Sequence, residues 1–194
     1  MEFTRGQNPK LTMNIGKRAE IIKWFSDSVI RSADYRIDDQ LNIFVYESLN
    51  LYNTNITKLP DKLTVNGWLD LRYTNVIELP DDLVVKESLY LSYIKIMKLP
   101  NNLKVGGSLF LDNTMITNFP DNLLINGDLN ITYTNITKLP DNLTINGNLY
   151  LSHTKISKLP YNLIVKGYLD ISNTKITKLP TDLVVKGEIY GFKK

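Results

Sequence analysis

Cysteine is absent from the 194-residue sequence, and histidine occurs once, as His153. Without cysteine the chain has no disulfide framework, no thiol nucleophile and no Cys-based zinc site. A single histidine excludes a cluster of histidine metal ligands and argues against a Ser-His-Asp triad. We therefore expect no metal, no cofactor and no enzymatic activity.

Long apolar runs are also missing, since no stretch approaches the roughly 18 to 20 residues that cross a bilayer. Residues 1–6 do not show the charged segment followed by an apolar segment that is typical of a secretory signal peptide. The charge is balanced, because 23 Lys and Arg against 20 Asp and Glu leave a net charge of +3. That value does not indicate a dedicated nucleic-acid binder. These features predict a soluble, cytoplasmic protein.

The sequence instead contains a repeat with a period of 20 residues. Each unit ends in Leu-Pro, except that one ends in Phe119-Pro120. Seven complete units run from 41 to 180, a truncated eighth with a C-terminal cap runs from 181 to 194, and residues 1–40 do not repeat. Positions in a unit are counted here from the residue after the proline. The Leu-Pro pairs are Leu59-Pro60, Leu79-Pro80, Leu99-Pro100, Leu139-Pro140, Leu159-Pro160 and Leu179-Pro180.

In two stretches of each unit, apolar residues occur at every second position. Leu149 and Leu151, at positions 9 and 11, have the period of a strand with one buried face. The second stretch, Leu143-x-Ile145, runs into Gly147, and six of eight units have glycine there. This glycine indicates a bend with positive φ or a close backbone approach. Because stacked units bury each other's edges, the expected fold is a β-rich, right-handed solenoid of about eight coils with parallel β-sheet.

Threonine recurs at position 14 of the complete units, with Ile94 as the exception. A threonine at the same point of every coil predicts an internal column of hydroxyls that satisfy backbone groups. The alternative, a row of nucleophiles, is disfavoured because each threonine lies two residues from a core aliphatic residue.

Residues 15–33 carry apolar side chains at the spacing of an amphipathic helix. A solenoid needs its first edge covered, so this stretch predicts an N-terminal helical cap. A helix that docks on a membrane or a partner is the alternative. Its acidic and basic residues are mixed, so we expect no membrane partner.

The repeat resembles the leucine-rich repeat, whose core reads L-x-L-x-x-N-x-L-x-x-L-P. The matching residues of one unit are Leu149, Leu151, Thr154, Ile156, Leu159 and Pro160. The short period and the Leu-Pro are similar to bacterial effectors of the YopM and IpaH kind and to phage-encoded repeats. The resemblance implies a binding protein of bacterial or phage origin, either delivered into or expressed in a host cell. Threonine in place of the ladder asparagine leaves both a horseshoe and a straighter solenoid open.

Side chains at positions 8, 10, 12 and 13 flank the buried leucines and are expected to face solvent. Aromatic residues are frequent there, which is typical of protein-binding anchors, and cross-strand packing is the structural alternative. We predict a non-catalytic module that binds a protein partner with this face. The candidate partner-binding residues are Trp68, Asp70, Arg72, Tyr73, Tyr90, Tyr93, Phe110, Asp112, Tyr133, Tyr150, His153 and Tyr168.

Lysine recurs at position 18 and, with Lys95, Lys155 and Lys175, forms a basic edge. Such an edge can bind nucleic acid or another anionic ligand, and a solvated edge with salt bridges between coils is the alternative. A carbohydrate-acting enzyme that uses Asp112 and Asp128 is disfavoured. A final alternative is a repeat protein of bacterial or phage origin whose role the sequence does not specify. The position-18 lysines are Lys58, Lys98, Lys138, Lys158 and Lys178.

Overall fold

The structure, a computed structural model, describes residues 9–27, 34–120 and 125–192. In these ranges one helix, α1 (Pro9–Asp27), precedes sixteen short strands. The strands of one side of the coil are β1 (Tyr35–Ile37), β2 (Ile43–Val45), β4 (Leu63–Val65), β6 (Val84–Val85), β8 (Lys104–Val105), β11 (Thr144–Ile145), β13 (Ile164–Val165) and β15 (Val184–Val185). Those of the next side are β3 (Leu49–Asn50), β5 (Leu69–Asp70), β7 (Leu89–Tyr90), β9 (Leu109–Phe110), β10 (Leu129–Asn130), β12 (Leu149–Tyr150), β14 (Leu169–Asp170) and β16 (Ile189–Tyr190).

Both sides form parallel sheets in which each residue pairs with the residue one repeat later. The second sheet runs unbroken from β3 to β16, and Leu69 pairs with Leu89 in it. In the first sheet β1 pairs antiparallel with β2, and single bridges through Ile125 join β8 to β11. The expected architecture is confirmed: the chain is a parallel β-solenoid of about seven turns with 20-residue spacing and an N-terminal helix.

The core is built from the aliphatic positions that recur in each unit. In one turn Leu149, Leu151 and Ile156 are fully buried, and the equivalents in neighbouring turns stack on them. Bends after the first strand and after the second strand, together with the Leu-Pro, turn the chain so that all these positions point inward. Side chains alternate between the inside and the outside of the coil along each strand. The aliphatic positions therefore form a continuous interior, and the positions between them form its outer sides.

All three sides of the coil carry hydrogen bonds between successive coils. The two sheets do so by their ladders, and the third side does so through single bonds at position 15 in four of the six steps between complete units. There Asn75 N donates to Ile56 O at 3.0 Å and Lys175 N donates to Ile156 O at 3.0 Å. A horseshoe requires one side to be spaced more widely than the opposite side. The solenoid is therefore straight over these turns.

Four of the six position-14 threonines are buried, and all six bond within their own coil. Thr154 Oγ1 donates to Leu151 O at 2.7 Å, and Thr114 and Thr134 make the equivalent bond. The sequence predicted hydroxyls that satisfy backbone groups of successive turns. The acceptor is instead the carbonyl three residues earlier, because the chain turns sharply between positions 11 and 14.

Replacing Thr154 by valine is expected to lower the free energy of unfolding by about 1 to 2 kcal/mol. The change keeps the side-chain shape and removes the hydroxyl that serves the Leu151 carbonyl. Urea unfolding followed by circular dichroism measures the loss. The exposed Thr137→Val is the control, and an equal loss there would show that the buried hydrogen bond is not the cause.

Glycine at position 7 permits close approach of neighbouring coils. A Cβ on Gly147 would lie 2.8 Å from Asp128 N and 2.8 Å from Gly127 C. Among the described glycines only Gly191, elsewhere in the repeat, has positive φ. Of the two expected reasons for glycine here, close approach is the one that applies.

Helix α1 covers the N-terminal end of the solenoid. Phe25 is buried and stacks on Tyr35 at a centroid distance of 3.8 Å, and Trp24 Nε1 donates to Lys58 O at 3.0 Å. The helix begins at Pro9, earlier than predicted, since proline is well tolerated in a first turn. The predicted continuation over 28–33 lies outside the described residues. No helix in the ranges that the structure describes has the length and apolarity needed to cross a membrane.

Candidate functional site

The outer side of the second sheet carries the candidate partner-binding residues. We call this side, made of positions 8, 10, 12 and 13 of each turn, the aromatic face. Exposed tyrosines recur on it, and each keeps 46–55% of its surface accessible. They are Tyr52, Tyr73, Tyr93, Tyr133, Tyr168 and Tyr190.

Rings at equivalent positions stack because in-register parallel strands lie about 4.8 Å apart, which is a normal stacking distance. Tyr73 and Tyr93 are parallel at 4.8 Å, and Tyr90 and Phe110 are parallel at 4.9 Å. Trp68 meets Tyr90 edge-on at 6.3 Å. Burial in the first stack, beside Tyr93, raises the pKa of the Tyr73 phenol. Cross-strand packing thus occurs for the same rings that remain partly exposed.

An ion pair lies among these rings. Arg72 Nη2 is 2.6 Å from Asp70 Oδ2, and Arg72 Nε also donates to this carboxylate, so the contact is bidentate. The Arg72 guanidinium lies over Tyr52 at 5.4 Å and over Tyr90 at 5.1 Å. Hydrogen bonding to buried Asp70 raises the pKa of Arg72. The pair fixes a planar cation between two rings and leaves Arg72 partly open to solvent.

These groups surround a shallow hollow of about 220 Å³, which we call the aromatic hollow. Asp112 closes one side of it, where its carboxylate accepts from Ser92 Oγ at 2.6 Å and from Asn130 Nδ2 at 3.2 Å. The hollow combines apolar ring surface with one cation and one anion. Its lining consists of Arg72, Tyr73, Tyr90, Ser92, Tyr93, Phe110 and Asp112.

The candidates in later turns form smaller groups. Tyr133 stacks on His153 at 4.2 Å, and Asn173 Nδ2 lies 3.0 Å from His153 Nε2. Tyr168 meets Tyr190 at 5.9 Å. Tyr150 lies in the ladder between Asn130 and Asp170. Six of the twelve candidates therefore line the hollow, Trp68 and Asp70 contact lining residues, and the other four lie further along the face.

Sequence reasoning missed Tyr52 and Tyr190 as members of this face, and it placed Ser92 on the face without making it a candidate binding residue. Tyr52 meets Tyr73 edge-on at 5.5 Å and lies under the Arg72 guanidinium. Both tyrosines occupy position 10 or 12, so the position rule itself was the signal that would have found them.

Three tyrosines of the face have left-handed backbone conformations. Tyr73, Tyr93 and Tyr133, all at position 13, have φ of 58°, 63° and 58°. Asparagine, which tolerates this region well, occupies the same position in three other turns as Asn53, Asn113 and Asn173. A tyrosine held there costs of order 1 to 3 kcal/mol. Left-handed residues also occur elsewhere, at Leu41 and Lys62 for example, but on the aromatic face this strain falls on exposed tyrosines.

The carboxylates of the disfavoured enzyme hypothesis have structural contacts. Asp128 Oδ1 accepts Asn148 N at 2.7 Å and so joins consecutive coils, while Asp112 is bonded to Ser92 and Asn130. Ser108 makes a bond like that of Asp128, accepting from Asp128 N at 2.9 Å. Within the described ranges no group of three or more His, Asp or Glu residues is arranged to hold a metal ion.

No protein-family model matches this chain, and a search of curated proteins returns no significant match. The role of the chain is therefore inferred from the geometry of the aromatic face.

Proposed function

We propose that the chain is a non-catalytic protein-binding module that holds a partner through the aromatic face. The observation that carries the proposal is the presence of tyrosine at left-handed positions where asparagine serves in neighbouring turns. A residue that is locally unfavourable, exposed and aromatic is better explained by binding than by folding.

The aromatic hollow supports the same proposal. Tyrosine, tryptophan and arginine are the residue types that dominate protein interfaces, because they offer large rigid contact area with a polar end. Here stacking and the Asp70–Arg72 pair hold these groups in place before a partner arrives. Preorganised side chains lose little conformational entropy on binding. A partner that inserts an apolar side chain into the hollow and offers polar groups to Arg72 and Asp112 fits this arrangement.

We also propose that the repeat is a variant leucine-rich repeat of bacterial or phage origin, acting as an effector in a cytoplasm. Its support is the Leu-x-Leu strand, such as Leu149 and Leu151, with the Leu-Pro that closes each turn. The straight axis and the second sheet distinguish it from a horseshoe with a single sheet.

The change Tyr73→Asn with Tyr93→Asn tests the binding proposal. Losing the stack costs about 0.5 to 1.5 kcal/mol, and asparagine relieves the left-handed strain, so stability is expected to change by less than about 1 kcal/mol. Binding to a partner captured by the wild type should weaken by about 30-fold or more, since two central anchors are lost. Titration calorimetry and thermal unfolding measure the two quantities.

The matched control is Lys86→Asn with Lys104→Asn on the outer side of the first sheet, where both lysines are exposed. It should retain the partner with its affinity unchanged. If the tyrosine variant is folded and binds as tightly as wild type, the aromatic face is not the binding surface.

A further inference from the structure

The third side of the solenoid is a second, chemically different surface. It consists of positions 15, 17 and 18 of the seven turns from 55 to 178, and every one of these residues is exposed. We call it the lysine face. Eight lysines lie on it against one acidic residue, Glu78, although the whole chain has a net charge of only +3. The lysines are Lys58, Lys95, Lys98, Lys138, Lys155, Lys158, Lys175 and Lys178.

These lysines form no salt bridge with described residues, so the expected coil-to-coil bridges do not occur there. The aspartates that come just after the Leu-Pro, at positions 1 and 2 of the next unit, accept hydrogen bonds from backbone N–H groups instead. Asp82 accepts from Lys62 N at 2.9 Å, and Asp141 accepts from Tyr161 N at 3.0 Å. The ammonium groups therefore remain available to an external anion.

Apolar side chains project from the same face. Ile77 and Met97, at position 17 of consecutive turns, are 60% and 62% exposed, and Met115 is 49% exposed. Lys98 follows Met97 directly, and Lys95 precedes it by two residues on the same face. Cationic side chains beside protruding apolar ones are the combination that binds the headgroup region of an anionic bilayer.

The shape of the face also fits a bilayer. Because the solenoid is straight, its lysines project from one side at coil spacing and can reach a planar surface together. Single-stranded nucleic acid would need aromatic residues for base stacking, and positions 15, 17 and 18 contain none. A nucleic-acid duplex is cylindrical, so it would contact only a narrow strip of the lysine face.

We propose that the lysine face is a docking surface for an anionic lipid bilayer. The mixed charges of helix α1, which led us to expect no membrane partner, concern a different surface. The aromatic face lies on another side of the coil, so a protein partner and a membrane can be held together.

The experiment is sedimentation with vesicles of phosphatidylcholine alone and of phosphatidylcholine mixed with phosphatidylserine. The wild type should bind only the mixed vesicles and be released by salt. Each lysine near such a surface contributes about fivefold to partitioning, so Lys138→Ser, Lys158→Ser and Lys178→Ser together should reduce it on the order of 100-fold. Met97→Ser should reduce it several-fold at unchanged charge.

The matched control is Lys86→Ser, Lys104→Ser and Lys166→Ser, which removes the same charge from exposed positions of the first sheet. It should leave partitioning within about fivefold of wild type, because charges beyond a Debye length are screened. Thermal unfolding verifies that both variants are folded. Absence of wild-type binding, or equal loss in both variants, overturns the proposal. Tighter binding of duplex DNA than of the mixed vesicles, lost in the lysine-face variant, would assign the face to nucleic acid instead.

Discussion

Replacing Leu111 by alanine is expected to lower the free energy of unfolding by about 3 to 5 kcal/mol. The side chain is fully buried in the middle of the solenoid, between its equivalents Leu91 and Ile131. Those neighbours are held by two hydrogen-bonded sheets and cannot move inward to fill the space, so the cavity remains. Guanidinium unfolding monitored by circular dichroism gives the difference.

The matched control is Leu183→Ala in the last turn. This leucine is packed against the core but only partly buried, because no described coil follows it. Less apolar surface is lost and no enclosed cavity forms, so the expected cost is about 1 kcal/mol. Equal costs at the two sites would mean that enclosure by neighbouring turns does not determine core stability.

The positions of the strands and the core followed from the sequence because the period never varies. A constant 20-residue repeat places equivalent residues in register, so Leu149 must stack between Leu129 and Leu169. The start of α1 was mispredicted because Pro9 lies outside the apolar pattern that marked the helix. Straightness also needed the structure, since the position-15 bonds of the third side have no signature in residue type.

The site was predictable in part, for the same reason. Columns of like position, such as Tyr73 with Tyr93, are implied by the register. Contacts between unlike positions depend on side-chain rotamers and on the lateral distance between positions. The guanidinium of Arg72 over Tyr90 is such a contact, and so is Trp68 against Tyr90. The left-handed backbone at Tyr73 was indicated only by the asparagines at the same position of other turns.

Gly147→Ala is expected to lower the free energy of unfolding by about 1 to 3 kcal/mol, although the change adds a single methyl group. The new Cβ would lie within 3 Å of backbone atoms of the preceding coil, at Asp128 N and Gly127 C. Backbone cannot rotate away as a side chain can, so the coils must separate locally. Gly147 N donates to Gly127 O at 3.1 Å, and this bond should lengthen.

The natural exception shows how such separation is accommodated. Glu87 occupies the same position, and its N lies 3.4 Å from Gly67 O, whereas the corresponding bonds of the glycines span 2.8 to 3.3 Å. The residue with a Cβ therefore has the longest of these bonds, although Gly67 comes close to it. Gly16→Ala is the control, since nothing lies within 4 Å of the new methyl group in helix α1. It should raise stability by up to about 1 kcal/mol, because alanine favours helix. Thermal unfolding measures the change in stability of each variant and shows whether the two changes have opposite signs. A stabilising effect of Gly147→Ala would contradict close approach of the coils as the reason for glycine at position 7.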